Sequence, residues 1–255
     1  NWDLDTAPSA GDQLFFGGNV GLAPNNDFAA NTIFANLTFN AGADAFTLGG
    51  NGINLPSGSA TLGAVTNLST VAQTINLQIA NNGGPRIYNA LAGDIVVTKN
   101  INNNTLVKEG PFTLTLANTA NDSSLGALVN EGTLVLAGTI NNCLGSTLSI
   151  NTNGTVRLVG SANNTDQIHF NQRVIMNGGK FQHQHVRGLT TPNTLEEIAS
   201  LSGSNLNSIV ENGQALSTNR LDIGGGSGHR GIYAGTIRDG AAGVLALQVY
   251  RHNNF

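Results

Sequence analysis

Apolar and polar residues alternate with a period of two along most of this 255-residue chain. In the segment PFTLTLAN, Phe112, Leu114 and Leu116 share one face, and Thr113 and Thr115 share the other. Such alternation is typical of a β-strand with one buried face. The pattern recurs at residues 32–40, 45–50, 74–80, 94–99, 132–138, 146–150, 155–160, 167–170, 173–181, 220–226 and 244–250. The sequence therefore predicts strands throughout, with one helical turn expected at TPNTLEEIASLSG, residues 191–203.

Turn residues separate these strands at short intervals. Clusters such as NNGG, NINNNT and NTNG contain the Asn and Gly that tolerate the left-handed backbone of tight turns. Many short strands are compatible with a sandwich, a barrel or a solenoid. The solenoid is favoured because successive units look alike, because aromatic residues are too few for a sandwich core, and because abundant Asn can stack into amide ladders between rungs. With rungs of roughly 20 to 25 residues, we expect about ten to twelve coils in one continuous domain over residues 1–255.

Residues 106–138 carry a motif that is more specific than alternation. It consists of LVKEG at 106–110, TLTL at 113–116, a polar turn, and GTLVL at 132–136. This segment resembles the passenger-associated transport repeat, also called the autotransporter-associated β-strand repeat. Residues 39–55, 196–205 and 221–250 are similar to segments that accompany that repeat in large bacterial surface proteins. The resemblance implies an all-β, right-handed parallel β-helix, or β-solenoid, which is extracellular and lies on the cell surface of a bacterium with an outer membrane.

The sequence differs from the repeat pattern at two places. Pro111 and Phe112 stand where the repeat usually has small residues, and the ending ALQVYRHNNF replaces the expected start of another repeat. The chain is therefore either a self-contained subunit or a fragment of a longer passenger.

Composition and charge exclude several classes of partner. Only 10% of the residues are charged, the net charge is −4, and the 11 basic residues are scattered, so no nucleic-acid partner is expected. The longest apolar run, residues 241–249, is too short to span a bilayer, so no membrane insertion of this chain is expected. Cys143 is the single cysteine, which excludes an internal disulfide, and we interpret it as a small apolar core residue.

Carboxylates are the residues on which carbohydrate chemistry by a β-helix would depend. Glycoside hydrolysis needs two carboxylates held about 5 to 10 Å apart. The adjacent pair Glu196 and Glu197 is interpreted as a solvated turn, and Asp94, Asp166, Asp222 and Asp239 are isolated in sequence. Trp2 and the widely spaced Tyr88, Tyr233 and Tyr250 offer few platforms for sugar stacking. We therefore predict no enzyme activity, no catalytic residue and no cofactor, while carboxylates that converge from distant rungs stay possible from sequence alone.

The histidines are the one concentrated group of potential metal ligands. His183 and His185 lie two residues apart on a predicted strand, hence on one face, with His169 or His229 as conceivable partners. The phase set by Phe181 directs both toward the interior, where the repeat usually has Leu. We interpret them as hydrogen-bonded inward or corner histidines rather than as a metal site.

The first and last predicted strands are both apolar, which suggests an assembly. The strand edges at the ends of a solenoid have unpaired N–H and C=O groups that template a further strand unless they are capped. We predict head-to-tail association with copies of the same chain, which builds a fibre. The predicted contact residues are Leu14, Phe15, Phe16, Val244, Leu245, Leu247, Val249 and Tyr250.

The function expected from these features is structural. We expect a stiff cell-surface passenger, or a subunit of a surface filament, with a role in display or adhesion, and surface glycans are conceivable ligands. The alternative is a carbohydrate-binding or carbohydrate-active β-helix, similar to polysaccharide lyases and hydrolases.

Overall fold

The alternating segments form β-strands that stack as a parallel β-solenoid of about eight turns in one domain. The computed structural model describes residues 6–56, 63–81, 84–102, 104–117, 124–139, 142–160, 166–185, 194–215, 217–224, 230–240 and 243–250. Within those residues there are strands but no helix. The all-β solenoid predicted from the sequence is thus confirmed, while its right-handed sense stays a prediction.

In chain order, the strands are β1 (Gln13–Phe16), β2 (Asn25–Asn26), β3 (Thr32–Ile33), β4 (Asn36–Phe39), β5 (Thr47–Gly50), β6 (Ile53–Leu55), β7 (Ala64–Asn67), β8 (Gln73–Ile75), β9 (Ile79–Asn81), β10 (Arg86–Ala90), β11 (Ile95–Val97), β12 (Asn104–Glu109), β13 (Thr113–Leu116), β14 (Leu125–Leu136), β15 (Leu148–Leu158), β16 (Arg173–Asn177), β17 (Lys180–His183), β18 (Thr194–Ile198), β19 (Ser200–Ser202), β20 (Ile209–Asn212), β21 (Thr218–Ile223), β22 (Thr236–Arg238) and β23 (Val244–Val249).

Three faces run along the solenoid, and every pairing between named strands is parallel. The first face contains β1, β4, β7, β10, β12, β14, β15, β16 and β19, each paired with the next. The second face runs from β2 and β5 through β8, β11, β13, the later parts of β14 and β15, β17 and β20 to β22. The third face has β3, β6 and β9 near one end and β18, β21 and β23 near the other. Because parallel strands need a crossover between them, the chain coils once to bring each strand beside its predecessor.

The core is a stack of inward side chains on these faces. On the first face, an inner column is formed by Leu14, Leu37, Val65, Tyr88, Lys108, Val129, Ile150 and Met176, all of them buried. Rung length varies along this column: Tyr88 pairs with Lys108, 20 residues later, whereas Leu37 pairs with Val65, 28 residues later. The expectation of ten to twelve coils was wrong because several rungs carry longer turns than assumed.

The predicted helical turn at residues 191–203 was also wrong. The described part of that segment forms β18 and β19, and Glu196 and Ile198 of β18 both point into the core. The Glu196 carboxylate accepts hydrogen bonds from the backbone N–H groups of Gln167 (2.8 Å) and Ile168 (2.7 Å) on the preceding rung. Because the inward residue Glu196 is an acid rather than an apolar residue, the alternation of apolar and polar residues was not visible in this strand.

The motif at residues 106–138 has a clear structural basis. Lys108 is fully buried, and its Nζ donates to the carbonyl oxygens of Glu109 (2.7 Å), Gly110 (2.6 Å) and Glu131 (3.0 Å) at the corner between two faces. Burial lowers the pKa of this amine to about 8. Gly132 has φ +69°, and a Cβ there would lie 2.6 Å from the Phe112 carbonyl oxygen, so the turn requires glycine. The motif thus sets the geometry of this corner.

An amide ladder connects four rungs on the outer side of the first face. Asn177 donates to Asn151 Oδ1 (3.0 Å), Asn151 donates to Asn130 Oδ1 (2.7 Å), and Asn130 donates to Glu109 Oε1 (2.5 Å). The sequence predicted such ladders at turns, whereas this ladder occupies an outward column of strand residues. It connects the rungs by side-chain hydrogen bonds in addition to the backbone ladder.

Candidate functional site at the two ends of the solenoid

The head, which we define as β1 with the apolar side chains around it, opens into a cavity. Leu14 and Phe16 point inward and are buried, while Phe15 points outward and is 56% exposed. The cavity has a volume of about 330 Å³, and its lining includes Leu14, Phe16, Phe28 and Phe34. The ring of Phe16 stacks on that of Phe39, with centroids 5.3 Å apart, which holds the floor of the head in place.

The strand β1 has one edge without a strand partner among the described residues. It pairs with β4 only, and the carbonyl oxygens of Asp12 and Phe16 accept N–H groups from Ala35 and Asn40 on that side. Alternate residues of a strand direct their backbone groups to opposite sides. Phe15 therefore directs its N–H and C=O away from β4, toward the open side of the head.

We define the tail as β22, β23 and the segment 230–234. It exposes apolar side chains at positions whose counterparts in earlier rungs point into the core. Leu247 and Val249 are in register with Leu221 and Ile223 of β21, yet they are 44% and 63% exposed. Leu245 is buried, whereas Val244 and Tyr250 are exposed. Inward residues of the last rung lie open because no described rung covers them.

A second apolar cavity marks the tail. It has a volume of about 320 Å³, and Leu201, Tyr233, Leu247 and Val249 are among its lining residues. The strand β23 pairs with β21 only in the described part of the chain. The predicted contact residues thus lie at the two ends. The two strands that carry them are on different faces, however, since β1 belongs to the first face and β23 to the third.

The two histidines predicted to point inward do so. His183 and His185 are buried, with ring centroids 5.9 Å apart, and His183 stands between Leu158 and Asn212 in the stack. His185 Nδ1 lies 3.0 Å from the Val159 carbonyl oxygen, whereas neither ring nitrogen of His183 has a hydrogen-bond partner within the described residues. Burial is the main cause that lowers the pKa of His185 to about 4 and the pKa of His183 well below its usual value.

A metal site is not assembled around these histidines by the residues that the structure describes. No group of three or more His, Cys, Asp or Glu side chains among them could hold a metal ion. His229, the other conceivable partner besides His169, lies outside the described residues. Both rings are buried and incompletely hydrogen-bonded in the described structure, because the Nε2 of His185 also lacks a partner.

Two acidic groups, Asp166 and Glu196, have raised pKa values within the described structure. Burial raises the pKa of Asp166 to about 6, and burial together with the charge of Asp166 raises the pKa of Glu196 well above its usual range. Glu196 is fully buried and both of its oxygens accept backbone N–H groups, so it caps a neighbouring rung and is closed to substrate. The interpretation of Glu196 as part of a solvated turn was wrong, and its capping role was missed because sequence does not reveal which rung it contacts.

Charge is distributed unevenly along the axis. Residues 1–85 contain five Asp residues and no Lys, Arg or Glu, whereas residues 217–255 contain four Arg residues against two Asp. At the tail, Arg238 pairs with Glu211 of the preceding rung at 2.6 Å. The head is acidic and the tail is weakly basic.

Comparison with known proteins gives no family assignment. No protein-family description, curated protein or solved structure matches this chain. No helix in the described ranges has the length and apolar character needed to cross a membrane. The resemblance of residues 106–138 to the passenger-associated transport repeat therefore stays a prediction.

Proposed function

We propose that this chain is a structural β-solenoid that serves as a stiff passenger or filament subunit at a bacterial cell surface and associates end to end. The observation that carries this proposal is the contrast between the flanks and the ends. On the first face, every strand from β4 to β16 pairs on both edges, whereas β1 at one end and β23 at the other each pair on one edge only within the described chain. The same holds for β9 and β18, where no named strand continues the third face. Each end of the solenoid also contains an apolar cavity.

The physical reason for association is the burial of these ends. Leu247 and Val249 are 44% and 63% exposed at inward positions that a further rung would cover. Full burial of such a side chain contributes roughly 1.5 to 3 kcal/mol, so covering the exposed part contributes about half of that for each. A head-to-tail contact uses two different surfaces, so it repeats without closing and produces a fibre. A rod of this kind suits display or adhesion, and the extracellular location is supported by the motif at residues 106–138.

The proposal is tested by substituting one tail residue. We expect the purified chain to form rods that lengthen with concentration in negative-stain images, with matching growth in sedimentation coefficient. Val249→Asp places a charge on the exposed tail and should weaken association at least tenfold, about 1.4 kcal/mol.

The matched control is Leu206→Asp. Leu206 is 74% exposed, but it lies in the turn between β19 and β20, on the flank of the solenoid. This variant should assemble as the wild type does. Compact monomers of the wild-type chain at every concentration, or equal loss in both variants, would refute end-to-end association.

A further inference from the structure

The inner column of the first face specifies how two copies would stack, an inference that rests on the proposed end-to-end association. The register of β16 with β19 places Ser202 opposite Ile175, so Gly203 follows opposite Met176. Gly203 then pairs with Tyr233 in an isolated parallel bridge. The column therefore begins at Leu14 and ends at Tyr233 within the described chain, and one further rung would place a residue opposite Tyr233.

We propose that Leu14 of a second copy occupies that position, so that β1 of one molecule pairs in parallel with the segment 231–234 of the next. In this register Phe15 of one copy faces Ala234 of the other. Both residues are exposed in the single chain, Phe15 at the head and Ala234 at the tail.

The direction of the backbone groups agrees with this register. The Gly203 N–H donates to the Ile232 carbonyl oxygen (2.8 Å), and the Ala234 N–H donates to the Gly203 carbonyl oxygen (2.9 Å). Ile232 and Ala234 therefore face backward along the axis, and Tyr233 between them directs its backbone groups to the open end. Phe15 directs its own groups to the open side of the head. The Phe15 N–H of one copy can thus donate to the Tyr233 carbonyl oxygen of the next, in the pattern by which Asn40 N–H donates to the Phe16 carbonyl oxygen.

The charges favour head-to-tail order over head-to-head order. The described head carries Asp12, Asp27 and Asp44 without a basic residue. At the tail, Arg220 is paired with Asp222 and Arg238 with Glu211, while Arg230 and Asp239 are also present. Two heads would bring like charges together, which is unfavourable, whereas the charges of the tail are nearly balanced and do not repel the acidic head. The partner that fits each end is therefore the other end of the same chain.

Cysteine cross-linking tests this register directly. Adjacent strands lie about 4.8 Å apart, within the Cα separation of roughly 4.4 to 6.8 Å that a disulfide bridges. Under mild oxidation, the double variant Phe15→Cys with Ala234→Cys should form a series of covalent multimers on non-reducing gels, and reduction should return it to monomers. The wild-type chain is the control for Cys143, which is buried.

The single variants separate the possible arrangements. Phe15→Cys alone and Ala234→Cys alone should stay monomeric on the gel, because each copy then has only half of the pair. Strong covalent dimers from either single variant would show head-to-head or tail-to-tail contact and overturn the inference. Association in sedimentation without multimers of the double variant would overturn the register while leaving end-to-end assembly intact. Absence of association in every variant and in the wild type would instead refute the proposed function.

Discussion

At the scale of single residues, the solenoid accommodates polar side chains in its core when they find backbone partners. Lys108 meets this condition with three carbonyl acceptors, and Glu196 meets it with two N–H donors. His183 does not, since both of its ring nitrogens lack a partner in the described structure. A buried polar group without a hydrogen bond costs free energy, so His183 lowers the stability of the folded state.

We expect His183→Leu to remove part of the acid sensitivity of the fold. Unfolded histidines protonate near pH 6.5, whereas burial holds the pKa of His185 at about 4 and that of His183 well below its usual value. Between pH 6.5 and 4 the unfolded chain therefore binds protons that the folded chain does not, and the free energy of unfolding decreases as the pH falls. Each histidine contributes up to about 1.4 kcal/mol per pH unit.

Leu is the natural replacement because it extends the inward series Leu116, Leu136 and Leu158, each residue in register with the next. Urea unfolding at several pH values should show a slope for His183→Leu that is shallower than that of the wild type by up to one proton. Glu196 is unchanged in both proteins, so its opposite pH dependence cancels from the difference. Equal slopes would show that His183 accepts a proton without unfolding.

At the scale of secondary-structure elements, the outer amide ladder couples β14, β15 and β16 beyond their backbone pairing. Asn151 is its central member, since it donates to Asn130 and accepts from Asn177. We expect Asn151→Ala to lower the free energy of unfolding by about 1 to 2 kcal/mol, because two amides lose a partner at once. Ser149→Ala, at an outward position of the same strand, should change it by less than about 0.5 kcal/mol. Similar losses from both substitutions in urea unfolding would contradict a specific role for the ladder.

Features that depend on local sequence were predictable, whereas features that depend on contacts between rungs were not. Period-two alternation is a local property, so strands such as β13, with Leu114 and Leu116 inward, were predictable. Contacts between rungs depend on turn length, which varies from one coil to the next. For this reason the inward position of His183 followed from its phase with Phe181, whereas the bonds of Glu196 to Gln167 and Ile168 did not.

At the scale of the whole molecule, shape and charge give the rod a direction. The flanks are hydrogen-bonded along the axis, the ends contain apolar cavities, and the acidic head differs in charge from the nearly balanced tail. Apolar burial at the ends accounts for the strength of the proposed contact. The charges mainly affect the rate and orientation of encounter, because charges at the rim of an interface act on association kinetics more than on affinity.

Added salt should therefore lower the association rate of the proposed assembly more than its affinity. Screening becomes strong once the Debye length falls from about 10 Å at 0.1 M salt to about 3 Å at 1 M. We expect the association rate, followed by light scattering after dilution from a dissociated stock, to fall by roughly threefold to tenfold between 0.05 and 0.5 M NaCl. Replacing Asp12 and Asp27 together with Asn should flatten this dependence, whereas Glu131→Gln, a mid-solenoid change at an exposed position, should preserve it. A rate that stays constant or rises with salt would mean that the charges of the two ends do not steer the encounter, and that apolar contact alone selects head-to-tail order.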